Sequence, residues 1–233
     1  MEGHPSTFVS MLDEVCRRYP DREAVVTYDG KMSRKSLTFT ELWNLASKYA
    51  HVLRQAGVKK GDYVVVSTPL SLEFWVASFG VLLAGGVHIS MEKLFSTSDI
   101  IVQTVNLSQA KFLILSNDEG SEMWEIFKHA AKLDPVNRFI ASVRMRAMPS
   151  LTTLLLTNRH AADDVTFLER LADYRGEYQD RSVGPADGAV VGTSMHPDTV
   201  ARPKLCEVSH GALTAQARVL DKAVPCGEKK KSV

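Results

Sequence analysis

The stretch from Gly61 to Ser90, GDYVVVSTPLSLEFWVASFGVLLAGGVHIS, predicts a complete β-α-β unit. Residues 63–66 form a β-branched run that is typical of a buried parallel strand. Residues 72–84 are almost entirely apolar, and Glu73 and Ser78 are the polar positions among them. A helix of this composition is expected to be buried on most of its faces.

Turn-forming residues separate the parts of this unit. Ser67, Thr68 and Pro69 are expected to end the first strand, and the pair at 85–86, Gly-Gly, is expected to end the helix. Residues 87–89 then begin a second strand, which a right-handed crossover places parallel to the first. A chain with this unit near its N-terminus is predicted to be an α/β protein.

The segments before this unit predict a helical and hairpin framework. The expected elements are a helix at 8–19, a hairpin between 24–28 and 36–39, and a second helix that ends near residue 56. Thr38 and Glu41 match a capping box at the start of the second helix. Gly57 lies where a left-handed residue ends that helix.

The segments after the unit alternate between helices and strands. The expected helices cover 98–107, 122–133, 165–171 at the surface, and 210–220 with Ser209 as the N-cap. The expected strands cover 111–115, 139–143 and 187–192; residues 151–156 fit a strand or a helix start, and 175–185 are expected to be an exposed connection. This alternation predicts an α/β fold with a mostly parallel sheet and helices on both faces.

The length and composition bound the number of domains and the class of partner. A chain of 233 residues with 45% hydrophobic content is expected to form one α/β domain, or one and a half. We place a domain at residues 6–221 and a disordered, solvated basic tail at 222–233. The net charge of +1 argues against a nucleic-acid partner.

The cysteines and the lack of long apolar runs indicate the compartment. Cys16, Cys206 and Cys226 are an odd number without the spacing of metal ligands, so we expect reduced thiols, with Cys16 and Cys206 packed in the core. No run of about twenty apolar residues occurs, and the N-terminus has neither a signal nor a transit pattern. These features predict a cytoplasmic protein without a transmembrane segment.

Three motifs occur in the order that they have in a known enzyme superfamily. Residues 37–42, LTFTEL, resemble its LTYxEL motif, residues 82–90, LLAGGVHIS, resemble LKAGAVYVPL, and residues 203–213, PKLCEVSHGAL, resemble PKGVVLSHGNL. From about Phe8 to Leu220 the chain resembles the adenylate-forming (AMP-binding) enzymes, which include acyl-CoA synthetases, luciferase-like ligases and peptide-synthetase adenylation domains. The resemblance implies an incomplete N-terminal domain of the acyl-adenylate synthetase fold.

The resemblance also implies a reaction and its reactants. The family forms an acyl-adenylate from a carboxylic or fatty acid and ATP with Mg²⁺, and its acyl-CoA ligases use CoA. Its phosphate-binding loop is written TSGTTGxPK. Small residues in such a loop let backbone N–H groups approach the phosphates, glycines adopt φ values that other residues avoid, and hydroxyls and a lysine bind anionic oxygen.

The matching segment of this chain, residues 192–204, GTSMHPDTVARPK, departs from that loop. In one alignment Thr193 and Ser194 match the family's first Thr-Ser, and three extra residues precede the final Pro-Lys pair. In this case the cofactor-binding residues for ATP would be Thr193, Ser194, Thr199 and Lys204, in a longer loop.

The other alignment has no gap and matches residues 196–201, HPDTVA, to TSGTTG. Asp198 would then present a carboxylate to the triphosphate, and Pro197 would lack an N–H donor. Both glycines of the family loop are absent in either alignment. We therefore expect the loop to have lost most of the family's ability to bind ATP.

Other polar clusters predict no further site. His160 lies near Asp163 and Asp164 on a loop, which is an ordinary chance grouping. The adjacent residues Ser209 and His210 do not face one another as a nucleophile and its base must. The resemblance makes His210 a substrate-side candidate, since the matching family histidine lies near the acyl pocket. We assign no catalytic residue and no metal ligand.

The expected function is that of a truncated AMP-forming acyl-CoA ligase-like protein. The family's adenine-binding segment, YGxTE-like motif, ribose-binding Asp and C-terminal lysine domain have no match after Leu220, so the chain is expected to be inactive alone. The alternatives are a non-catalytic binding or regulatory module and the product of a partial gene model. An interrupted sheet would leave an unpaired edge, through which a protein partner or a second copy could bind.

Overall fold

The structure, a computed structural model, describes residues 6–28, 32–91, 98–159, 165–194 and 204–223. Its helices are α1 (Phe8–Arg18), α2 (Phe39–Gln55), α3 (Leu72–Leu83), α4 (Ser98–Ser108), α5 (Glu122–Phe127), α6 (Phe167–Ala172) and α7 (His210–Ala223). Its strands are β1 (Glu23–Tyr28), β2 (Arg34–Thr38), β3 (Tyr63–Ser67), β4 (Val87–Ser90), β5 (Phe112–Leu115), β6 (Lys132–Leu133), β7 (Ile140–Ser142), β8 (Thr153–Leu156), β9 (Gly188–Ser194) and β10 (Lys204–Ser209).

One eight-stranded sheet carries most of these strands, in the order β10-β9-β4-β3-β5-β8-β7-β6. The five central strands, from β9 to β8, are parallel to one another, and the outer strands β10, β7 and β6 pair antiparallel with their neighbours. Val64 pairs with His88 on β4, and Tyr63 pairs with Val87, so the β-α-β unit is confirmed. The predicted α/β class with a mostly parallel sheet is confirmed as well.

Helices cover both faces of the sheet because its central strands are apolar on both sides. Val64 and Val66 of β3 belong to a core layer that contains residues of α2, α3 and α6. Val65, the residue between them, belongs to the opposite layer with residues of α4 and α5. This alternation follows from the twofold repeat of strand side chains, and the continuous valine run is the sequence form of a strand buried on both faces.

The framework before the sheet forms as the sequence predicts. β1 and β2 pair as an antiparallel hairpin, with Tyr28 opposite Arg34. Thr38 accepts a hydrogen bond from the backbone N–H of Glu41, whose carboxylate accepts one from the backbone N–H of Thr38, which completes the capping box. Gly57 has a φ of 96° after α2, as its predicted left-handed role requires.

One prediction of secondary structure is corrected. The helix expected at 122–133 ends at Phe127, and residues 132–133 form β6, which pairs with β7 through Leu133 and Ala141. The helical spacing of apolar residues continues past the end of α5, but the backbone groups of 132–133 are satisfied at the sheet edge instead. The helix predicted at 165–171 forms as α6, with Phe167 and Leu171 buried on one face and Glu169 and Ala172 exposed on the other.

One of the two cysteine predictions is also wrong. Cys16 is buried on α1, as expected, and burial raises the pKa of its thiol to about 11. Cys206 is exposed, because β10 lies at the edge of the sheet and its odd-numbered and even-numbered side chains are both poorly covered. The tail was predicted to begin at residue 222, but residues 222–223 still belong to α7. Cys226 and the rest of the predicted tail, residues 224–233, lie outside the described residues. No helix in the described ranges is long and apolar enough to cross a membrane.

Close packing of α3 on α2 depends on Gly80. A Cβ at this position would lie 2.9 Å from Cδ1 of Tyr49 and 3.3 Å from the backbone oxygen of Ala46. The Tyr49 ring cannot easily yield, since it is fully buried and makes edge contacts with Phe139 and Phe167.

We therefore expect Gly80→Ala to lower the free energy of unfolding by about 1–2 kcal/mol, because an overpacking cost of up to about 3 kcal/mol exceeds the helix-propensity gain of about 1 kcal/mol. Urea denaturation followed by circular dichroism measures the change. Gly192→Ala is the matched control, since the nearest atom to its Cβ would be 4.0 Å away. Equal stabilities for the two variants would contradict this account of the α2–α3 contact.

Candidate functional site

The candidate site lies at one edge of the central sheet. Parallel strands place their carboxyl ends at the same edge, and ligands of open α/β sheets bind outside those ends. β9 ends there at Ser194, beside the ends of β4, β3, β5 and β8. The predicted phosphate-loop segment therefore begins at the edge where this class of fold binds ligands.

The β9–β10 hairpin fixes both ends of that segment. Lys204 is directly opposite Ser194 in the antiparallel register, and Leu205 is opposite Thr193. The structure thus brings together the backbones of three of the four predicted loop residues, Thr193, Ser194 and Lys204. Thr199, the fourth, lies outside the described residues.

His210 lies at the amino ends of the parallel strands, the end of the sheet opposite to the candidate site. β10 runs from Lys204, opposite the end of β9, to Ser209, opposite Gly188 at the start of β9. Ser209 accepts a hydrogen bond from the backbone N–H of Ala212, as its predicted N-cap role requires, and His210 follows it as the first residue of α7. The structure therefore does not bring His210 to Lys204 and Ser194.

The surroundings of His210 are those of a buried, neutral imidazole. Its side chain is buried, and neither ring nitrogen has a hydrogen-bond partner among the residues that the structure describes. Burial lowers the pKa of His210, and the nearby carboxylate of Asp187 opposes this effect. Asp187 itself is held by Lys60 at 2.8 Å and by the backbone N–H of Gly184 at 2.6 Å, which lower its pKa.

A second histidine, His88, is buried inside the β-α-β unit. Its Nε2 lies 3.0 Å from Oγ of Ser78 on α3, and the ring of Phe74 makes an edge contact with the imidazole. Burial lowers the pKa of His88 to about 4. The sequence showed these residues only as members of the strand and helix, and their contact follows from packing α3 on β4.

A cavity of about 250 Å³ opens at the carboxyl edge of the sheet. Its polar wall includes Ser67, the last residue of β3, and Thr68, which follows it. Ser116 and Asp118, after β5, and Arg159, after β8, complete this wall. Sequence reasoning missed this group, because Ser67 and Thr68 were interpreted only as strand-ending residues. The usable signal was the position of small hydroxyl residues directly after two buried strands that predict one common edge.

The part of the chain that the structure describes contains no group of three His, Cys, Asp or Glu side chains that could hold a metal ion. The grouping of His160 with Asp163 and Asp164 lies outside the described residues.

Comparisons with known proteins agree with the motifs. The sequence model of the family described as AMP-binding enzyme matches residues 12–232. Acetyl-coenzyme A synthetase from Penicillium chrysogenum is 24% identical over 195 residues, which cover 80% of this chain and 28% of that protein. A long-chain-fatty-acid–CoA ligase from Bacillus subtilis is 32% identical over 97 residues, which cover 42% of this chain and 16% of that protein. The chain thus spans between 16% and 28% of the length of these relatives.

A solved structure has a similar fold. The fatty acid AMP ligase from Legionella pneumophila matches with a TM-score of 0.70 at 15% sequence identity, over 97% of this chain and 34% of that chain. At 15% identity this match shows a similar fold, but it does not show a similar function. Because the family's sequence model covers nearly the whole chain, this protein belongs to the AMP-binding enzyme family.

Proposed function

We propose that this chain carries the N-terminal sheet of an AMP-forming acyl ligase. In that reaction an oxygen of a carboxylic acid attacks the α-phosphorus of ATP, the bond from the α-phosphorus to the bridging oxygen of the β-phosphate breaks, and pyrophosphate leaves. The acyl-adenylate can then pass its acyl group to the thiol of CoA. The acid, ATP, Mg²⁺ and CoA are the reactants that the family implies for this chain.

The observation that carries the proposal is the register of the β9–β10 hairpin. It places Lys204 opposite Ser194 at the carboxyl edge of the parallel strands, so a phosphate bound by the connecting segment would meet a cation at the loop's end. An exposed lysine acts there as a flexible point charge. Family membership over residues 12–232 supports the same assignment.

The composition of the connecting segment favours a second candidate, a non-catalytic binding or regulatory module. The segment lacks both glycines of the family loop and contains Pro197 and Asp198 instead. A proline offers no N–H to a phosphate, and a carboxylate repels one. We therefore propose that this chain, with its own connecting segment between β9 and β10, does not complete adenylation.

Pyrophosphate exchange with ATP and a panel of carboxylic acids, together with calorimetric titration of ATP, separates these candidates. We expect exchange by the 233-residue chain to stay at background, because the loop cannot hold the triphosphate in line for attack. Exchange above background that Lys204→Ala abolishes would contradict this expectation and show a self-sufficient ligase. Background exchange with ATP binding that Lys204→Ala weakens would establish the binding module.

The cytoplasmic location and association through the sheet edge stay predictions. β10 is the terminal strand of the sheet and is only partly covered along its length. Its outer backbone groups are of the kind that pair with a further strand from a protein partner or a second copy.

A further inference from the structure

Two large apolar side chains are exposed on the hairpin of β6 and β7, which ends the sheet on the side away from β10. Val136, in the connection between the two strands, is 91% exposed, and Leu133, the last residue of β6, is 60% exposed. Val136 has the largest exposed fraction among the large apolar side chains that the structure describes. Apolar groups exposed together within one hairpin favour contact with another apolar surface.

Hydrogen bonds and one buried ring hold the connection in this shape. Oδ1 of Asp134 accepts hydrogen bonds from the backbone N–H groups of Val136 and Asn137, both at 2.8 Å. Phe139, at the end of the connection, is buried, and its ring makes an edge contact with Tyr49 of α2. Turning Val136 inward would break these contacts, so its exposure is a property of the turn itself.

Cationic side chains accompany the apolar ones. Residues 128–146 contain five lysines and arginines and one acidic residue, Asp134, although the whole chain has 28 Lys and Arg against 27 Asp and Glu. Lys132 and Arg144 line one surface cleft with Ser142 and Thr152, and no carboxylate belongs to the part of its wall that the structure describes. Neither Lys132 nor Arg144 forms an ion pair with a described residue, so both can pair with the anions of a partner.

The apolar and the cationic side chains can reach one flat surface. In the register of β6 and β7, Lys132 is opposite Ser142 and Leu133 is opposite Ala141, so Lys132 and Leu133 point to opposite faces of the sheet. Because β6 is the terminal strand, a surface that meets the outer edge of the sheet contacts side chains from both faces. The long stems of lysine and arginine keep their charged ends at a polar boundary while an apolar neighbour enters the layer beneath.

We propose that the β6–β7 hairpin binds the surface of an anionic lipid bilayer. Val136 and Leu133 enter the boundary between head groups and acyl chains, and Lys132 and Arg144 pair with the anionic head groups. A bilayer fits this hairpin better than an acidic polypeptide does, because it offers an anionic layer and an apolar layer side by side. The surface is separate from the β9–β10 hairpin, and the proposal does not depend on the proposed ligase function.

Co-sedimentation of the full chain with lipid vesicles tests the proposal. We expect vesicles of phosphatidylcholine with one quarter phosphatidylserine to bind the chain at least about tenfold more tightly than vesicles of phosphatidylcholine alone, because lysines and arginines are attracted to the anionic surface. The binding should weaken when NaCl is raised from about 0.05 to about 0.5 M, because salt screens this attraction. Equal affinity for the two kinds of vesicle, or binding to neither, would overturn the proposal.

Variants of the hairpin locate the binding, which is necessary because the chain also has a lysine run at 229–231. Val136→Ser should weaken binding to the anionic vesicles by about threefold to tenfold, because it removes apolar contact with the bilayer. Lys132→Gln combined with Arg144→Gln should weaken it by about tenfold or more, because two charges are lost from the surface. Thermal denaturation checks that each variant is folded.

The β1–β2 hairpin supplies the matched control. It also carries an exposed valine and an exposed lysine, Val26 and Lys35, but it lies at the start of α2, whereas Asn137 of the β6–β7 hairpin contacts Gln55 at the end of that helix. Val26→Ser combined with Lys35→Gln should leave the vesicle binding unchanged. An equal loss from this control, or no loss from the variants of the β6–β7 hairpin, would contradict the assignment.

Polyglutamate serves as the competing partner, because it offers anions without an apolar layer. Binding of polyglutamate without binding of vesicles, weakened by the change at Lys132 and Arg144 and unaffected by Val136→Ser, would overturn the proposal and assign the hairpin to an acidic protein. Vesicle binding that both hairpin variants weaken and the control does not would establish it.

Discussion

Lowering the pH from about 6.5 to about 4 is expected to reduce the free energy of unfolding by about 3 kcal/mol through one buried side chain, His88. The imidazole lies between β4 and α3, where Ser78 is its polar neighbour at 3.0 Å. Burial favours the neutral ring and holds its pKa at about 4 in the folded chain, against 6.5 without burial.

The direction follows from proton binding. Between these two pKa values the unfolded chain binds a proton at His88 and the folded chain does not, so stability rises with pH across the window. The stabilisation is fully present above about 6.5 and is lost as the pH falls through the window to about 4. His210, whose pKa is also lowered by burial, adds to the loss in the same direction.

Urea denaturation at pH values from 7.5 to 4, for the native chain and for His88→Gln, measures this contribution. A glutamine amide can reach Ser78 but does not titrate, so the variant should lose about 3 kcal/mol less on acidification. Parallel stability curves for the two chains would contradict the prediction. Imidazole chemical shifts of the native chain give the pKa of His88 independently, should the variant fold poorly.

The sequence predicted the centre of the fold well because several local signals agreed there. The valine run of β3, the apolar α3 and the two glycines after it all require one β-α-β unit, and the register of Val64 and His88 confirms it. At α5 a single signal, the spacing of apolar residues, predicted a helix to residue 133. The chain leaves the helix at Phe127 because strand pairing with β7 is a long-range interaction that no local pattern shows.

The candidate site also has a part that the sequence predicted and a part that it did not. The strand that leads into the loop was predicted, at residues 187–192, but the antiparallel pairing that puts Ser194 opposite Lys204 was not. The cavity with Thr68, Ser116 and Arg159 was not, because its residues lie far apart in the chain and meet only through the order of strands in the sheet. Strand order depends on tertiary packing, which periodicity does not report.

Restoring the family's loop composition is expected to raise the affinity for ATP by at least about tenfold. The changes are those of the alignment without a gap: His196→Thr, Pro197→Ser, Asp198→Gly, Val200→Thr and Ala201→Gly, with Thr199 kept. We choose this alignment because the backbone at Thr193 and Ser194 is paired with β10, which leaves residues 195–203 as the connection.

Two physical effects produce the gain. Removing the Asp198 carboxylate from a site near the triphosphate relieves a repulsion of about 1 kcal/mol at 4 Å in water and about 4 kcal/mol near a protein surface. Replacing Pro197 supplies a backbone N–H donor, and the two new glycines allow the backbone to approach the phosphates. Calorimetric titration of ATP into the native and restored chains measures the combined effect.

Two controls decide what the gain means. The restored loop with Lys204→Ala should lose most of the gain, because Lys204 closes the hairpin opposite Ser194 and would supply the cation at the loop's end. Asp198→Asn in the native loop isolates the charge repulsion from the backbone effects. If the restored chain binds ATP no better than the native one, the hairpin is not a phosphate site and the ligase assignment of this sheet falls with it. If it binds ATP more tightly, the composition of residues 196–201 is what limits the affinity of the native chain for ATP.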